Sequence, residues 1–194
     1  MKTAKEDKRK QILAAAVKVF SQKGYHKTRM EEIAMEAGIG KGTIYEYFAS
    51  KIQLFQAMIE QGFDTYIEKI NVEKAQNLPL SEWLQVLTEA HMHFCLEHKE
   101  LTQIMFLERA TPDEELMQWV LDNRAAKLNA MQEMLRKAME KQEIRSFNPQ
   151  LLLYIIHASM MSFYIPVVME GWEIEPKYFA QQYVDILMNG IAQK

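Results

Sequence analysis

The chain has 194 residues, 48% of them hydrophobic, enough to bury a substantial core. Seven glycines, five prolines and an abundance of Ala, Leu, Met, Glu, Lys and Gln favour helices and argue against a β-rich fold. The lone cysteine, Cys95, excludes an intrachain disulfide and a cysteine metal cluster, while the net charge of −3 hides a basic stretch: residues 1–51 hold 11 basic and 6 acidic residues, and the remainder carries −8.

The N-terminus is polar and charged, with no apolar leader core. Lys2, Lys5, Lys8, Arg9 and Lys10 open a helix expected from about Lys5 to Lys23. Ile12, Leu13, Ala16, Val17 and Phe20 form its apolar stripe, Gly24 ends it and Tyr25 packs back. Residues 28–51 then read as two short helices around a tight turn. Thr28 is placed to cap the first, with Glu31 three residues on at the spacing of a capping box. Ile33, Ala34 and Ala37 give that helix one apolar face. Gly38 ends it, because the turn needs a left-handed residue there. Ile44 and Phe48 face inward from the second helix. A small residue at the approach, a glycine at the turn and a branched apolar lock are what a helix-turn-helix requires.

The outer side of the second helix carries Lys41, Gly42, Thr43, Tyr45, Glu46 and Tyr47, and Lys51 opens the next segment. Lysine, threonine and tyrosine donors beside helical N–H groups suit phosphate oxygens, and a major groove admits such a helix. Lys27 and Arg29 flank the entry to the motif, and Thr28 and Arg29 complete the expected DNA-contacting set.

The run Ile33-Ala34, Ala37-Gly38-Ile39, Gly42-Thr43-Ile44-Tyr45, Tyr47-Phe48, Ser50-Lys51 and Leu54-Phe55 closely resembles the N-terminal domain of the tetracycline-repressor (TetR/AcrR) family of bacterial regulators. Ile12-Leu13-Ala14-Ala15-Ala16, Phe20 and Gly24-Tyr25 agree as well. The family usually has histidine where Tyr47 stands, and Glu46 is an uncomfortable neighbour for DNA. The resemblance implies an all-α fold of about nine helices. Residues 1–50 would be a three-helix DNA-binding head, and 51–194 a helical ligand-binding and dimerisation body. It further implies a cytoplasmic homodimer on a palindromic double-stranded operator, released when a small molecule enters the body.

A long helix is expected from Lys51, after the N-cap Ser50, to about Ala75, linking head and body. Further helices are expected from Pro79 and Ser81 to His98, from Leu101 to Arg109, and from the start signal Thr111-Pro112-Asp113 to Lys141. Asn148-Pro149 begins the next. Its residues Leu151 to Met169 form 19 consecutive positions without a charge, long enough for a bilayer. His157, two serines, two tyrosines and Pro166 favour a helix buried on all sides, in the body or in a subunit interface, so no membrane association is expected. A last helix runs from Lys177 to Ile191, and two such helices from each of two chains would make a four-helix bundle.

The body is rich in methionine and aromatic residues, which suit a core and equally a cavity for an apolar ligand. The candidate lining is Phe94, Met105, Trp119, Met131, Met134 and Met161, with His91, Arg109, Asn123, His157 and Tyr164 to orient a ligand. The short run Leu107-Glu108-Arg109 is similar to the acyl-CoA-responsive branch of the family, so a fatty acyl compound or a lipophilic drug is the expected inducer. No cofactor or metal is expected. No His-Glu-x-x-His spacing, phosphate-cradling glycine loop or dinucleotide fingerprint occurs, so the chain does not read as an enzyme. Two other readings stay open: a DNA-anchored interaction protein, and an orphan repressor without a small-molecule ligand.

Overall fold

The computed structural model describes residues 2–70, 78–107 and 114–190, and all regular structure among them is helical. In chain order the elements are α1 (Lys2–Lys27), α2 (Met30–Glu36), α3 (Lys41–Tyr47), α4 (Lys51–Ile70), α5 (Leu80–Glu97), α6 (Lys99–Leu107), α7 (Glu114–Glu140), α8 (Pro149–Ser162) and α9 (Pro176–Asn189). A π-helical turn, Ile165–Met169, follows α8. The expected helix end at Ala75, the Thr111-Pro112-Asp113 start signal and the end at Ile191 lie outside the described residues.

The chain divides into two compact units: residues 1–65 with 98–113, and residues 66–97 with 114–194. In the first unit α1 packs against α2 and along α6, and α2 against α3. Ile12, Ala16, Ile33, Ile44, Leu54 and Met58 are almost wholly buried. Each of the isoleucine, leucine and methionine side chains among them contributes about 1.5–3 kcal/mol by leaving water. Phe20, Tyr25 and Phe55 form a mutual aromatic cluster, with centroids 5.0 to 5.9 Å apart. Gly24 breaks the helical path of α1 at φ +74°, which is how Tyr25 turns back to reach it.

The turn between α2 and α3 has the form expected at Gly38. Gly38 N–H donates to Met35 O at 3.0 Å and Ile39 N–H donates to Ala34 O at 2.9 Å, with Gly38 at φ +63°. This is the paired closure of a Schellman end. A Cβ on Gly38 would meet no atom within 4 Å, so the requirement is conformational rather than steric. Gly38→Ala is expected to lower head stability by about 1–2 kcal/mol through backbone strain alone, read by urea denaturation.

The start of α2 differs from expectation by one residue. Arg29, not Thr28, is the N-cap, and the Glu32 carboxylate, not Glu31, accepts from Arg29 N–H at 2.9 Å. The Thr28 hydroxyl instead donates to Gly24 O at 2.8 Å and is 2% exposed. Ser50 caps α4 as expected, accepting from Gln53 N–H at 3.3 Å.

In the second unit α9 packs along α5, and α7 along α8. Leu84, Leu135, Leu153, Ile156, Met160 and Val184 form the middle of this core. Asn148 accepts from Gln150 N–H and Leu151 N–H, with Pro149 as the first helical residue, which is the start the sequence signals for α8. Pro166 lacks an N–H, so the regular helical ladder cannot continue; Glu170 N–H reaches back five residues to Ile165 O at 3.0 Å.

Pro149–Met169 is long and apolar enough to cross a membrane by length and composition. Burial on all sides within the chain does not occur. Leu153, Ile156, Met160, Tyr164 and Val167 are buried, while Leu151, Tyr154, Ile155, Ile165 and Met169 are exposed. The inner face is tied down by Tyr183, whose hydroxyl donates to Ile156 O at 3.1 Å and lies 2.6 Å from Ser159 Oγ. One face therefore belongs to the core of this unit and the opposite face is apolar and uncovered.

Candidate DNA interface and ligand body

The helix-turn-helix sets the geometry of the first site. Ile44 is fully buried and locks α3 onto the head, so the opposite side of α3 faces out. Lys41, Gly42 and Tyr45 are exposed there, with Tyr45 at 43%, and Thr43 and Tyr47 are half-buried. Arg29 is exposed at the start of α2. Gly42 has open space where a Cβ would stand, so its surface is clear for close approach by a strand.

Lys41 Nζ lies 2.6 Å from Glu31 Oε1. This hydrogen bond holds the Glu31 carboxyl below its usual range and raises Lys41, so both are charged at neutral pH. The pair is exposed, and such pairs hold weakly, so Lys41 can exchange a carboxylate for a phosphate at little cost. Lys18–Glu36 and Lys23–Glu32, each 2.6 Å, link α1 to α2 in the same exposed fashion.

Two residues of the expected set are held elsewhere. Thr28 is internal, as above. Lys51 Nζ donates to Tyr25 O at 2.8 Å, Thr28 O at 3.1 Å and His26 O at 3.4 Å, and stands 4.4 Å from the Tyr25 ring centroid. An ammonium has three protons, and three carbonyls at the end of α1 take them.

Sequence reasoning missed two supports of the helix-turn-helix. Gln11 Nε2 donates to Ala37 O at 2.7 Å, satisfying a carbonyl at the end of α2. The Arg9 guanidinium sits 5.3 Å over the ring of Phe48, which ends α3. Both join residues far apart in the chain, so helical spacing carries no trace of them.

The ligand candidates fall into three groups. Met131, Met134 and Met161 are half-buried against the core of the second unit. The side chains of Met105 and Asn123, and all of Arg109, lie outside the described residues. His91, Phe94, His157 and Tyr164 belong to a second unit that also holds Tyr66 and Cys95, and Trp119 is half-buried on α7. The His91 ring lies edge-on to Tyr66, with centroids 6.1 Å apart, and its Nε2 is 3.7 Å from Cys95 Sγ. Tyr66 also packs on Phe94, centroids 5.7 Å apart. Tyr164 Oη donates to Met169 Sδ at 3.4 Å.

Burial, with the neighbouring His157, pushes His91 down to about 4, and burial raises Tyr66. The unfolded chain therefore takes up a proton near pH 6.5 that the folded chain refuses until about pH 4. Stability must fall as pH drops through that window. Between pH 7.5 and pH 5 the expected loss is about 2 kcal/mol. Urea denaturation at the two values should show it in the wild type and not in His91→Gln.

Among the described residues, Thr28, Thr88 and Thr102 are the buried polar ones, and none is charged. Thr88 Oγ1 and Gln61 Oε1 are the buried side-chain atoms without a hydrogen-bond partner there. No group of three metal-ligating side chains occurs among the described residues.

A family model described as "Bacterial regulatory proteins, tetR family" matches residues 12–58, and a second, "Tetracyclin repressor-like, C-terminal domain", matches residues 77–191. The chain is 24% identical over 191 residues to the fatty acid metabolism regulator protein of Bacillus subtilis (strain 168), covering 98% of each. It is 29% identical over 188 residues to the HTH-type transcriptional regulator YuxN of the same organism, covering 96% of this chain but 62% of YuxN. Its fold is similar to that of the transcriptional regulator FadR from Bacillus subtilis, crystallised with stearoyl-CoA: TM-score 0.83, 23% identity, and 94% and 98% of the two chains covered.

Proposed function

We propose, for a chain that belongs to the tetR family of bacterial regulatory proteins, that it is a repressor released from its operator by an apolar or amphipathic small molecule, a fatty acyl compound above all. The chain is a DNA-binding transcriptional regulator, not an enzyme. The observation that carries the reading is α3, locked by Ile44 and presenting Lys41, Gly42, Thr43 and Tyr45 outward from a basic head. In this reading residues 1–50 do the DNA work and residues 51–194 the ligand and dimer work. Arg29, Lys41, Gly42, Thr43, Tyr45 and Tyr47 meet the DNA, and Thr28 and Lys51 hold the frame that presents them.

The ligand half is supported by a methionine- and aromatic-rich second unit and by two relatives, one named for fatty acid metabolism and one crystallised with stearoyl-CoA. Its lining would draw on His91, Phe94, Trp119, Met131, Met134, His157, Met161 and Tyr164. An inducer can release DNA only by binding better to the arrangement that does not fit the operator. Helix α4 contributes residues to both units and is assigned the transmission. Its displacement would spoil the spacing of about 34–36 Å between two recognition helices. The two copies would meet through the uncovered faces of α8 and α9, where Leu151, Ile155, Tyr178 and Ile186 are exposed. The regulator would work in the cytoplasm.

The test is occupancy across the source genome together with transcript levels after deletion of the gene. One or a few palindromic promoter sites, with the adjoining genes rising on deletion, is the expected result. Many scattered sites with no transcriptional change would favour the DNA-anchored interaction protein instead.

A further inference from the structure

The helices of the helix-turn-helix carry acidic residues of two kinds. Those of α2 are each held by a lysine at 2.6 Å: Glu31 by Lys41, Glu32 by Lys23 and Glu36 by Lys18. Glu46, the acidic residue of α3, is exposed and has neither an ion-pair nor a hydrogen-bond partner among the described residues. A carboxylate left open on the face that meets a polyanion opposes binding at every place that offers it no donor.

Its place on the helix follows from Ile44, which is 0% exposed and marks the inner line of α3. At about 3.6 residues per turn, the positions two before and two after Ile44 fall nearly opposite it. These are Gly42 and Glu46. Gly42 has nothing within 4 Å of where a Cβ would stand, and a helical side chain leans over the turn before its own Cα. Glu46 is therefore the long side chain on the outermost line of α3, with open space ahead of it. Thr43 and Tyr45 stand about a quarter-turn to either side of that line. In a major groove they would face the phosphate walls, and Glu46 the floor.

The floor offers few partners to a group that only accepts. Guanine presents acceptors there, and so does thymine beside its methyl. Adenine sets its amino donor next to the N7 acceptor, which opposes a carboxylate. Cytosine presents its N4 amino group as a donor.

We propose that Glu46 is a specificity-determining residue, its carboxylate accepting from the N4 amino group of one cytosine in each operator half-site. The inference rests on α3 as the DNA-reading helix and adds the base that it reads. Other bases at that position are rejected because they leave the carboxylate facing acceptors.

The test is selection from a randomised duplex pool, followed by anisotropy on the selected site and on its single-base variants. It uses full chains of the wild type, Glu46→Gln and Glu46→Ala. The wild type should select one cytosine at a fixed place in each half-site. Replacing it in one half-site should weaken binding about 5- to 100-fold. Glu46→Gln should keep the rest of the sequence and move that position to adenine, whose N6 and N7 suit an amide. Glu46→Ala should lose the preference at that position only, and should bind the replaced site more tightly than the wild type does. The same base preferences in all three proteins overturn the assignment of Glu46 and leave the DNA reading standing. So does a preference lost in Glu46→Ala that is not for cytosine, or a loss spread over every position. Failure of the wild type to enrich any sequence overturns the reading of α3, and the assignment with it.

Discussion

Ile155→Lys is expected to yield a folded monomer whose affinity for a two-half-site operator falls at least about 100-fold. Ile155 is 51% exposed on the outer face of α8, beside Leu151 at 61%, in a 19-residue stretch without a charge. A contiguous apolar face of this kind marks a protein contact. The inner face of the same helix, Leu153, Ile156 and Met160, is already filled, so a lysine at 155 disturbs no packing within the chain. In a dimer it would place two ammonium groups against an apolar partner, at a desolvation cost of several kcal/mol. The loss on DNA then follows from geometry: two linked heads bind the second half-site as an intramolecular event, and a monomer does not. Sedimentation should give one chain per particle, and the variant should bind a half-site and a full palindrome with equal affinity. An unchanged dimer would remove the proposed interface.

Lys51→Met carries the second large effect. The ammonium closes the end of α1 by donating to three carbonyls, those of Tyr25, His26 and Thr28, and rests on the Tyr25 ring. Hydrogen bonds from a charged group are worth about 1.5–3 kcal/mol, and their loss leaves carbonyls at the α1–α2 corner unpaired. Methionine keeps most of the apolar stem, so the change isolates the charge. The expected outcome is a head less stable by about 1.5–3 kcal/mol and a weaker DNA complex whose salt dependence is unaltered. A phosphate contact would behave oppositely: stability kept, and the slope of log affinity against log salt reduced by about one. The two outcomes separate in one pair of titrations, urea on the free protein and salt on the complex.

The contrast between Lys51 and Gly38 shows what was legible in the chain. Gly38, Ile33, Ala34 and Ile44 act through their immediate neighbours, at offsets the helical period imposes, and the Schellman turn forms where they place it. Ser50 and Asn148 cap their helices for the same local reason. Lys51, Gln11 and Arg9 act across 23 to 39 residues of chain, on Thr28, Ala37 and Phe48, and nothing in their own segments announces those partners. Thr28 looked like an N-cap because it stands before an apolar run. The left-handed break at Gly24 brings a carbonyl within reach of its hydroxyl and moves the cap to Arg29.

In the second unit the helical period located every described helix but not its surroundings. A run without charge says that a helix avoids water on all sides. It does not say whether one chain or two supply the cover, and α8 is covered on one side only. The methionines at 131, 134 and 161 read equally as core or as cavity wall, since the same chemistry serves both, and they pack on the core. The unpaired hydroxyl of Thr88 had no sequence signature at all, for a threonine in a helix normally bonds its own backbone.

The central claim is a DNA-binding regulator switched by an apolar acyl ligand. It is tested most directly by fluorescence anisotropy with labelled DNA from just upstream of the protein's own gene, titrated with protein and then with stearoyl-CoA. The account predicts saturable, sequence-specific binding that stearoyl-CoA reverses. Specific binding that persists at saturating stearoyl-CoA, with the ligand shown to be bound, would contradict it.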